Sequence, residues 1–307
     1  MNILLTGASG FIGMKLIQLL KKESNYELLL LTSKEIPHYK CVLHNNYTFT
    51  SQDFLDKGFE NIDILVHLGA YTPKNHKNVN NINNTALNIK NTLHLLNNLV
   101  SLPKRIIYIS SVTVYTLTDE LINENTLLYP QNMYGMSKLY CEKMIQAYCT
   151  EYNIEYQILR LGQIYGEGEY DFDGFIPFTI KNIISGKSPV IFNDGQALIS
   201  PINVNDCCKF ISKSIKLDNI KEHQQIINIV PGTSYKIIDI VNLLLKISGS
   251  KIMPSFVIQD KKIINRHYDN SLMIETFGEE EACFKNELAK EYEYFRKICK
   301  MKEPVPA

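Results

Sequence analysis

The sequence predicts a doubly wound α/β fold, a parallel sheet covered by helices on both faces, with a smaller interleaved C-terminal substrate-binding domain. Short, continuously apolar runs alternate with amphipathic stretches, the pattern of strands buried on both faces between crossover helices. A glycine-rich turn separates the first apolar run from the first helical stretch. The chain has 307 residues, 45% of them apolar, enough to bury a core on each side of a sheet.

Taken in order, Ile3, Leu4 and Leu5 form the first strand, and Leu16, Ile17 and Leu20 repeat at helical spacing after it. Residues 27–31 form a second strand and residues 62–68 a third. A long helix over about 83–99 follows, with Leu87, Leu93 and Leu96 on its buried side. Residues 105–109 make the fourth strand, 134–152 a helix with Leu139, Met144 and Ala147 facing inward, and 156–161 the fifth strand. Beyond Gly166 the elements shorten into a cap, while 204–215 and 226–229 read as a helix and a strand returning to the main sheet. The expected division sets residues 1–165, with 202–230 returning to them, against a cap of 166–201 and 231–307.

Thirty-two basic residues balance thirty-two acidic ones, which gives no electrostatic reason to expect nucleic acid or an anionic membrane as a partner. Seven cysteines without a repeated CxxC unit read as reduced thiols. His38, Cys41 and His44 lie close together in a polar loop but fall short of four ligands, so no metal is expected. No apolar run approaches the ~20 residues of a membrane helix. The first residues lack a basic leader, so the expected location is the cytoplasm.

The first strand runs through Thr6 into Gly7, Ala8, Ser9, Gly10, Phe11, Ile12 and Gly13. Glycines at this spacing let a tight turn form, let the backbone approach a pyrophosphate, and let the helix pack on the strand. The amides at the helix start then face the phosphates. A strand before and a helix after give such a triplet its meaning and make the sheet Rossmann-type, with its ligand at the carboxyl ends of the strands. The residue ending the second strand reads the adenosine ribose: an acid bonds the 2′-hydroxyl of NAD, whereas cations receive the 2′-phosphate of NADP. Here Thr32 leads into Ser33 and Lys34 with no acid before Glu35, which leans toward NADP and leaves NAD open.

Tyr134 and Lys138 open a helix and share one face at i and i+4. A free phenol, with a pKa near ~10, is too weak a base at neutral pH. An ammonium fixed beside it, together with the charge of an oxidised nicotinamide, lowers that value. Ser110 and Ser111 close the fourth strand, where a hydroxyl faces the same cleft and can orient the substrate oxygen.

Together these segments resemble the extended short-chain dehydrogenase/reductase family, in the NAD(P)-dependent epimerase/dehydratase branch that acts on nucleotide-activated sugars. The resemblance runs nearly end to end. It implies a cofactor turn at Gly7, Ser9, Gly10, Phe11, Ile12 and Gly13. Gln52, Asp53 and Phe54 are similar to an adenine-contacting segment, and His67, Leu68, Gly69 and Ala70 to a third-strand signature. Asn88 matches a structural asparagine, with Asn91 where glycine is usual. Residues 110–115 resemble the catalytic-serine segment, which implies Ser111, Tyr134 and Lys138 as the catalytic set and a second role for Lys138 at the nicotinamide ribose. Residues 160–168 resemble the segment after the fifth strand, with Gln163 in place of asparagine at a substrate position. Residues 226–232 and 269–278 resemble the late strand and closing motif.

The resemblance also narrows the reaction. Sugar 4,6-dehydratases carry an Asp-Glu pair where this chain has Val112 and Thr113, neither of which can supply the acid that expels water. Enzymes that epimerise two carbons and then reduce use a cysteine at the position of Val112. What is left is a 4-ketoreductase spending NADPH, which the missing acid favours, or a 4-epimerase that retains NAD. A non-catalytic NADP-binding regulator is the reading from another class; such proteins commonly lose the tyrosine or lysine, and both are present. The expected partner is a small molecule, a nucleotide-linked sugar, with Arg266 at its phosphates and Phe192 at its base. Ile199, Asn203 and Asn205 stand where the family has an arginine, a histidine and an aspartate. A homodimer pairing through the long helix and the Tyr134 helix is also implied.

Overall fold

The computed structural model describes residues 1–22, 25–259, 265–278 and 282–302. Its first half comprises β1 (Asn2–Thr6), α1 (Phe11–Leu20), β2 (Glu27–Thr32), β3 (Lys40–Leu43), α2 (Ser51–Leu55), β4 (Ile64–His67), α3 (Ile82–Asn97), β5 (Arg105–Ser111), β6 (Leu121–Ile122), α4 (Met133–Glu151) and β7 (Glu155–Leu161). There follow β8 (Gln163–Tyr165), α5 (Phe175–Ile184), β9 (Val190–Phe192), β10 (Leu198–Ile199), β11 (Pro201–Asn203), α6 (Val204–Lys216) and β12 (Ile226–Ile229). The last elements are β13 (Tyr235–Lys236), α7 (Ile237–Ser248), β14 (Ser255–Val257), β15 (His267–Tyr268), α8 (Ser271–Phe277) and α9 (Phe284–Lys302).

Seven strands form one parallel sheet in the order β12-β7-β5-β4-β1-β2-β3. Parallel strands joined by crossover helices are covered on both faces, and every residue of β4 and β5 is buried. One face packs on α1 and α6 through residues such as Leu16, Leu20, Phe210 and Ile211. The other packs on α3 and α4 through Leu95, Leu96, Cys141 and Ile145. Strand order reverses between β1 and β4, so the crossovers part there and open a crevice at the carboxyl ends of the strands. A separate apolar core joins α5, α7 and α9 through Ile176, Ile180, Leu244, Leu288 and Phe295. Residues 260–264, 279–281 and 303–307, assigned to the cap from the sequence, lie outside the described residues.

Three features differ from expectation. No strand is expected at 40–43, because only Cys41 and Val42 of these four residues are buried and so short a run carries no period. Cys41 packs in the core with its thiol 3.8 Å from the Ile36 carbonyl. On α3 the inner face holds Thr85, Asn88, Thr92, Leu95 and Leu96, while Leu87 and Leu93 are exposed. Asn88 and Thr92 occupy that face because each has a buried partner, and Thr85 turns its hydroxyl back on the Asn81 carbonyl, so the leucines alone give the wrong phase. On α4 the inner face runs through Ser137, Lys138, Cys141, Glu142 and Ile145, whereas Ala147 is exposed. Among the described residues no three His, Cys, Asp or Glu side chains are grouped to hold a metal, and no helix is long and apolar enough to cross a membrane.

Candidate active site

A cleft of about 920 Å³ opens at the carboxyl ends of the strands. Its floor is the turn after β1. Gly7 has φ +71°, and a Cβ there would stand 2.8 Å from the Gly69 nitrogen. A Cβ at Gly13 would lie 2.3 Å from the Gly7 carbonyl oxygen. Glycine is thus required at Gly7 by conformation and close approach, and at Gly13 so that α1 can seat on the turn. Ser9, Gly10, Phe11 and Ile12 line the cleft beside them. Gly10 caps α1 without a side chain, which leaves the first amides of the helix for an anion.

Leu68, Gly69 and Ala70 form the wall after β4. The Gly69 N–H donates to Thr6 Oγ1 (2.8 Å), which also pairs with His67 Nδ1 (2.7 Å), and His67 Nε2 meets Thr92 Oγ1 (3.0 Å). Burial pushes His67 down to about 3, so a neutral ring ties β1, β4 and α3 together.

At the end of β2, Thr32 and Ser33 line the cleft, while Lys34 is exposed in the following turn and stands outside the wall. Asp53 and Phe54 do not reach the cleft either. The Asp53 carboxylate accepts from the Thr50 N–H (2.6 Å) and hydroxyl (3.0 Å) to cap α2, and Phe54 is fully buried against the core beneath β2 and β3. His44 and Tyr47, just past β3, line the wall instead. The unexpected strand explains the displacement, since the segment that follows it begins at His44. Nothing in the local pattern marks these two residues, because β3 is set by its pairing with β2.

The proton-transfer set comes together from β5 and α4. Asn132 accepts the Gly135 N–H (2.8 Å) to start α4, and a Cβ on Gly135 would fall 2.5 Å from the Thr113 carbonyl oxygen, so the helix start abuts the turn after β5. Ser111, Tyr134 and Lys138 all line the cleft. Lys138 is 3% exposed; its Nζ donates to the Ile109 carbonyl (2.7 Å) and lies 4.9 Å from the Tyr108 ring centre. Burial pulls its ammonium down to about 8, with Cys141 and Glu142 opposing the fall. Burial pushes the Tyr134 phenol up to about 12, against the opposing pull of the Thr72 and Ser111 hydroxyls. Ser111 Oγ accepts from the Thr113 N–H (3.2 Å) and hydroxyl (3.0 Å). With two donors aimed at its oxygen, Ser111 has its own proton left to give to the phenol or to a substrate oxygen.

Behind this set lies a buried polar network. Arg160 grips Glu142 through Nη2–Oε2 (2.8 Å) and Nε–Oε1 (3.1 Å), with the two side chains 1% and 0% exposed. The Ser110 hydroxyl donates to the same carboxylate. Arg160 Nη1 also donates to the Tyr115 hydroxyl (2.8 Å), which donates to Asn228 Oδ1 (2.7 Å). Asn88 holds the other side: it accepts the Tyr71 N–H (2.6 Å) and donates to the Tyr71 carbonyl (3.2 Å) and Ser137 Oγ (3.0 Å).

At the far end, Gln163, Ile199 and Arg266 line the cleft. Phe192 does not; it is 52% exposed on the β9–β14 ribbon.

A family model for the NAD dependent epimerase/dehydratase family matches residues 3–230. The chain belongs to this family. It is therefore an enzyme of the extended short-chain dehydrogenase/reductase type. Among its relatives is the GDP-6-deoxy-D-talose 4-dehydrogenase of Aggregatibacter actinomycetemcomitans, 28% identical over 89% of this chain and 88% of that protein. A UDP-glucose 4-epimerase of Thermotoga maritima, solved with UDP-glucose, has a TM-score of 0.84 at 21% identity, covering 97% of this chain and 100% of that one. A UDP-glucuronic acid 4-epimerase of Bacillus cereus, solved with UDP-glucuronic acid and NAD, has a TM-score of 0.81 at 22% identity over the same shares, 97% and 100%. Similarity at these two identities is a likeness of fold.

Proposed function

We propose that this enzyme interconverts a hydroxyl and a ketone at C4 of a nucleotide-activated sugar with NAD, and that its net reaction is 4-epimerisation. The choice of NAD rests on Lys34. A lean toward NADPH needs a cation facing the 2′-phosphate, and Lys34 lies outside the cleft wall, whereas Thr32 and Ser33 offer hydroxyls that suit a 2′-hydroxyl. The fold neighbours that bind UDP-sugars, one of them also with NAD, support the same reading. Dehydration is disfavoured, since Val112 is buried and the Thr113 hydroxyl is committed to Ser111. A 4-ketoreductase is the second reading, favoured by the missing acid after β2 and by similarity to the talose 4-dehydrogenase.

Bound NAD would supply the hydride acceptor and, when oxidised, a positive charge near the phenol. The chain supplies the rest. The glycine turn and the first amides of α1 hold the pyrophosphate. Ser111 donates to the C4 oxygen and aligns it, and Tyr134 as phenolate takes the proton of the C4 hydroxyl and later returns it. Lys138 is charged below about pH 8, which favours the phenolate beside it. The cap, 166–201 and 231–307, supplies the sugar side, where Ile199 offers packing only, so the phosphates fall to Arg266 and a contact to Gln163. Homodimerisation through α3 and α4 belongs to the same proposal, supported by exposed Leu87, Leu93, Met136 and Tyr140.

The test is to denature the purified protein and identify any nucleotide it releases. Near-stoichiometric NAD is expected. An empty protein that binds NADPH far better than NADH would instead support the ketoreductase.

A further inference from the structure

Between β8 and α5, residues 166–174 run across the mouth of the cleft, and both of its sides hold them. On the side of the glycine turn, Phe172 meets Phe11 with ring centres 6.0 Å apart, and Glu167 pairs with Lys15 on α1 (3.2 Å). On the side of β4, the Asp173 N–H donates to the Lys74 carbonyl (2.7 Å). Phe11, Phe172, Asp173 and Lys74 all line the cleft. Glycine lets the segment lie so close: Gly168 has φ +117°, and a Cβ there would stand 3.0 Å from the Phe11 ring. Within the segment the Phe172 N–H donates to the Glu169 carbonyl (2.9 Å), and the Glu169 carboxylate accepts the Gly166 N–H (3.1 Å). From behind, Lys181 on α5 donates to the Phe172 carbonyl (3.2 Å) and to the Asp173 carboxylate (3.3 Å).

These contacts close a ring. It runs from the start of α1 through Phe172 and Asp173 to the loop after β4, at the crevice where strand order reverses. A dinucleotide with its pyrophosphate on the start of α1 lies across that crevice, beneath the segment, so the ring must part before it enters or leaves. We propose that residues 166–174 are a strap that gates exchange of the dinucleotide and keeps it on the enzyme between turnovers. This rests on the placement of the pyrophosphate at the glycine turn, and it gives the NAD retained by a 4-epimerase a structural cause. A 4-epimerase regenerates its oxidised cofactor within each cycle, so slow exchange does not limit it, whereas a ketoreductase must exchange at every turnover.

Glu167 and Lys181 are the positions for the test, because both hold the strap and both lie outside the cleft wall. Protein saturated with radiolabelled NAD is mixed with excess unlabelled NAD, and the label left after rapid gel filtration gives the release rate. The double variant Glu167→Gln, Lys181→Met leaves the net charge unchanged and should release label about three- to tenfold faster, the combined worth of two partly exposed ion pairs. Glu167→Gln alone fixes the sign. Removing an anion near the pyrophosphate slows release if charge alone matters, and speeds it if the strap has loosened. Phe172→Ala, which opens the ring pair with Phe11, should also release faster, and it replaces the double variant should that protein fail to fold. A folded variant that keeps its label as long as the wild type would overturn the strap and leave the 4-epimerase reading intact. So would a wild type that loses its label before the first filtration. Were the protein to take NADPH alone, the 4-epimerase reading would fall, and the same release rates read with radiolabelled NADPH would still decide the strap.

Discussion

Replacing Tyr134 with Phe is expected to lower turnover by about a hundred- to ten-thousand-fold, the range carried by a positioned acid–base group. Phenylalanine keeps the ring and its packing and removes only the phenolic oxygen. NAD binding should survive, because the glycine turn, the start of α1 and Lys138 are untouched. The assay is a panel of UDP-, dTDP- and GDP-hexoses followed by chromatography of the epimers, with calorimetry for NAD. Unchanged turnover would remove Tyr134 from the chemistry. The environment explains why so much depends on one oxygen. With the cleft unloaded, burial sets the phenol at about 12 and the ammonium at about 8, so the phenol stays protonated at neutral pH. An oxidised nicotinamide beside Lys138 favours the phenolate. Catalysis should then rise with pH as the phenol ionises and lose support once the Lys138 ammonium deprotonates.

Arg160→Leu should cause the largest loss of stability, about 3–5 kcal/mol. The substitution leaves the Glu142 carboxylate, 0% exposed, with the Ser110 hydroxyl in place of a bidentate guanidinium. Against a total of roughly 5–15 kcal/mol for a folded protein, such a loss is severe. Chemical denaturation followed by circular dichroism reads it. The double variant Arg160→Leu, Glu142→Leu should recover most of the loss, because removing both charges abolishes the unpaired ion. A single variant as stable as the wild type would mean that Glu142 finds another partner. The pair also matters to function by position, since Glu142 lies one turn beyond Lys138 and Arg160 anchors β7 beside β5.

Much of the site was legible because its signals are local. The glycine turn, the end of β5 at Ser111 and the Tyr134–Lys138 spacing each lie within a single element or at its edge, and all of them line the same cleft. What escaped depends on long-range contact. The short edge strand β3 is held by pairing with β2, not by its own pattern, and without it the sequence offers Asp53 and Phe54, whereas His44 and Tyr47 line the cleft. Asn88 and Thr92 turn inward on α3 because Tyr71 and His67 await them there, which no count of leucines reveals. Arg160 and Glu142 stand on different elements, β7 and α4, and meet only in the folded chain. Lys34 stands exposed in the bend after β2, directly beyond the cleft-lining Ser33.

The most direct test of the account is a crystal structure of the protein with NAD. The account predicts the pyrophosphate on the first amides of α1, the adenosine end between Ser33 and Tyr47, and the nicotinamide beside Tyr134 with the Lys138 ammonium on its ribose hydroxyls. A dinucleotide whose nicotinamide lies away from Tyr134, with Lys138 still turned to the Ile109 carbonyl and off the ribose, would contradict it.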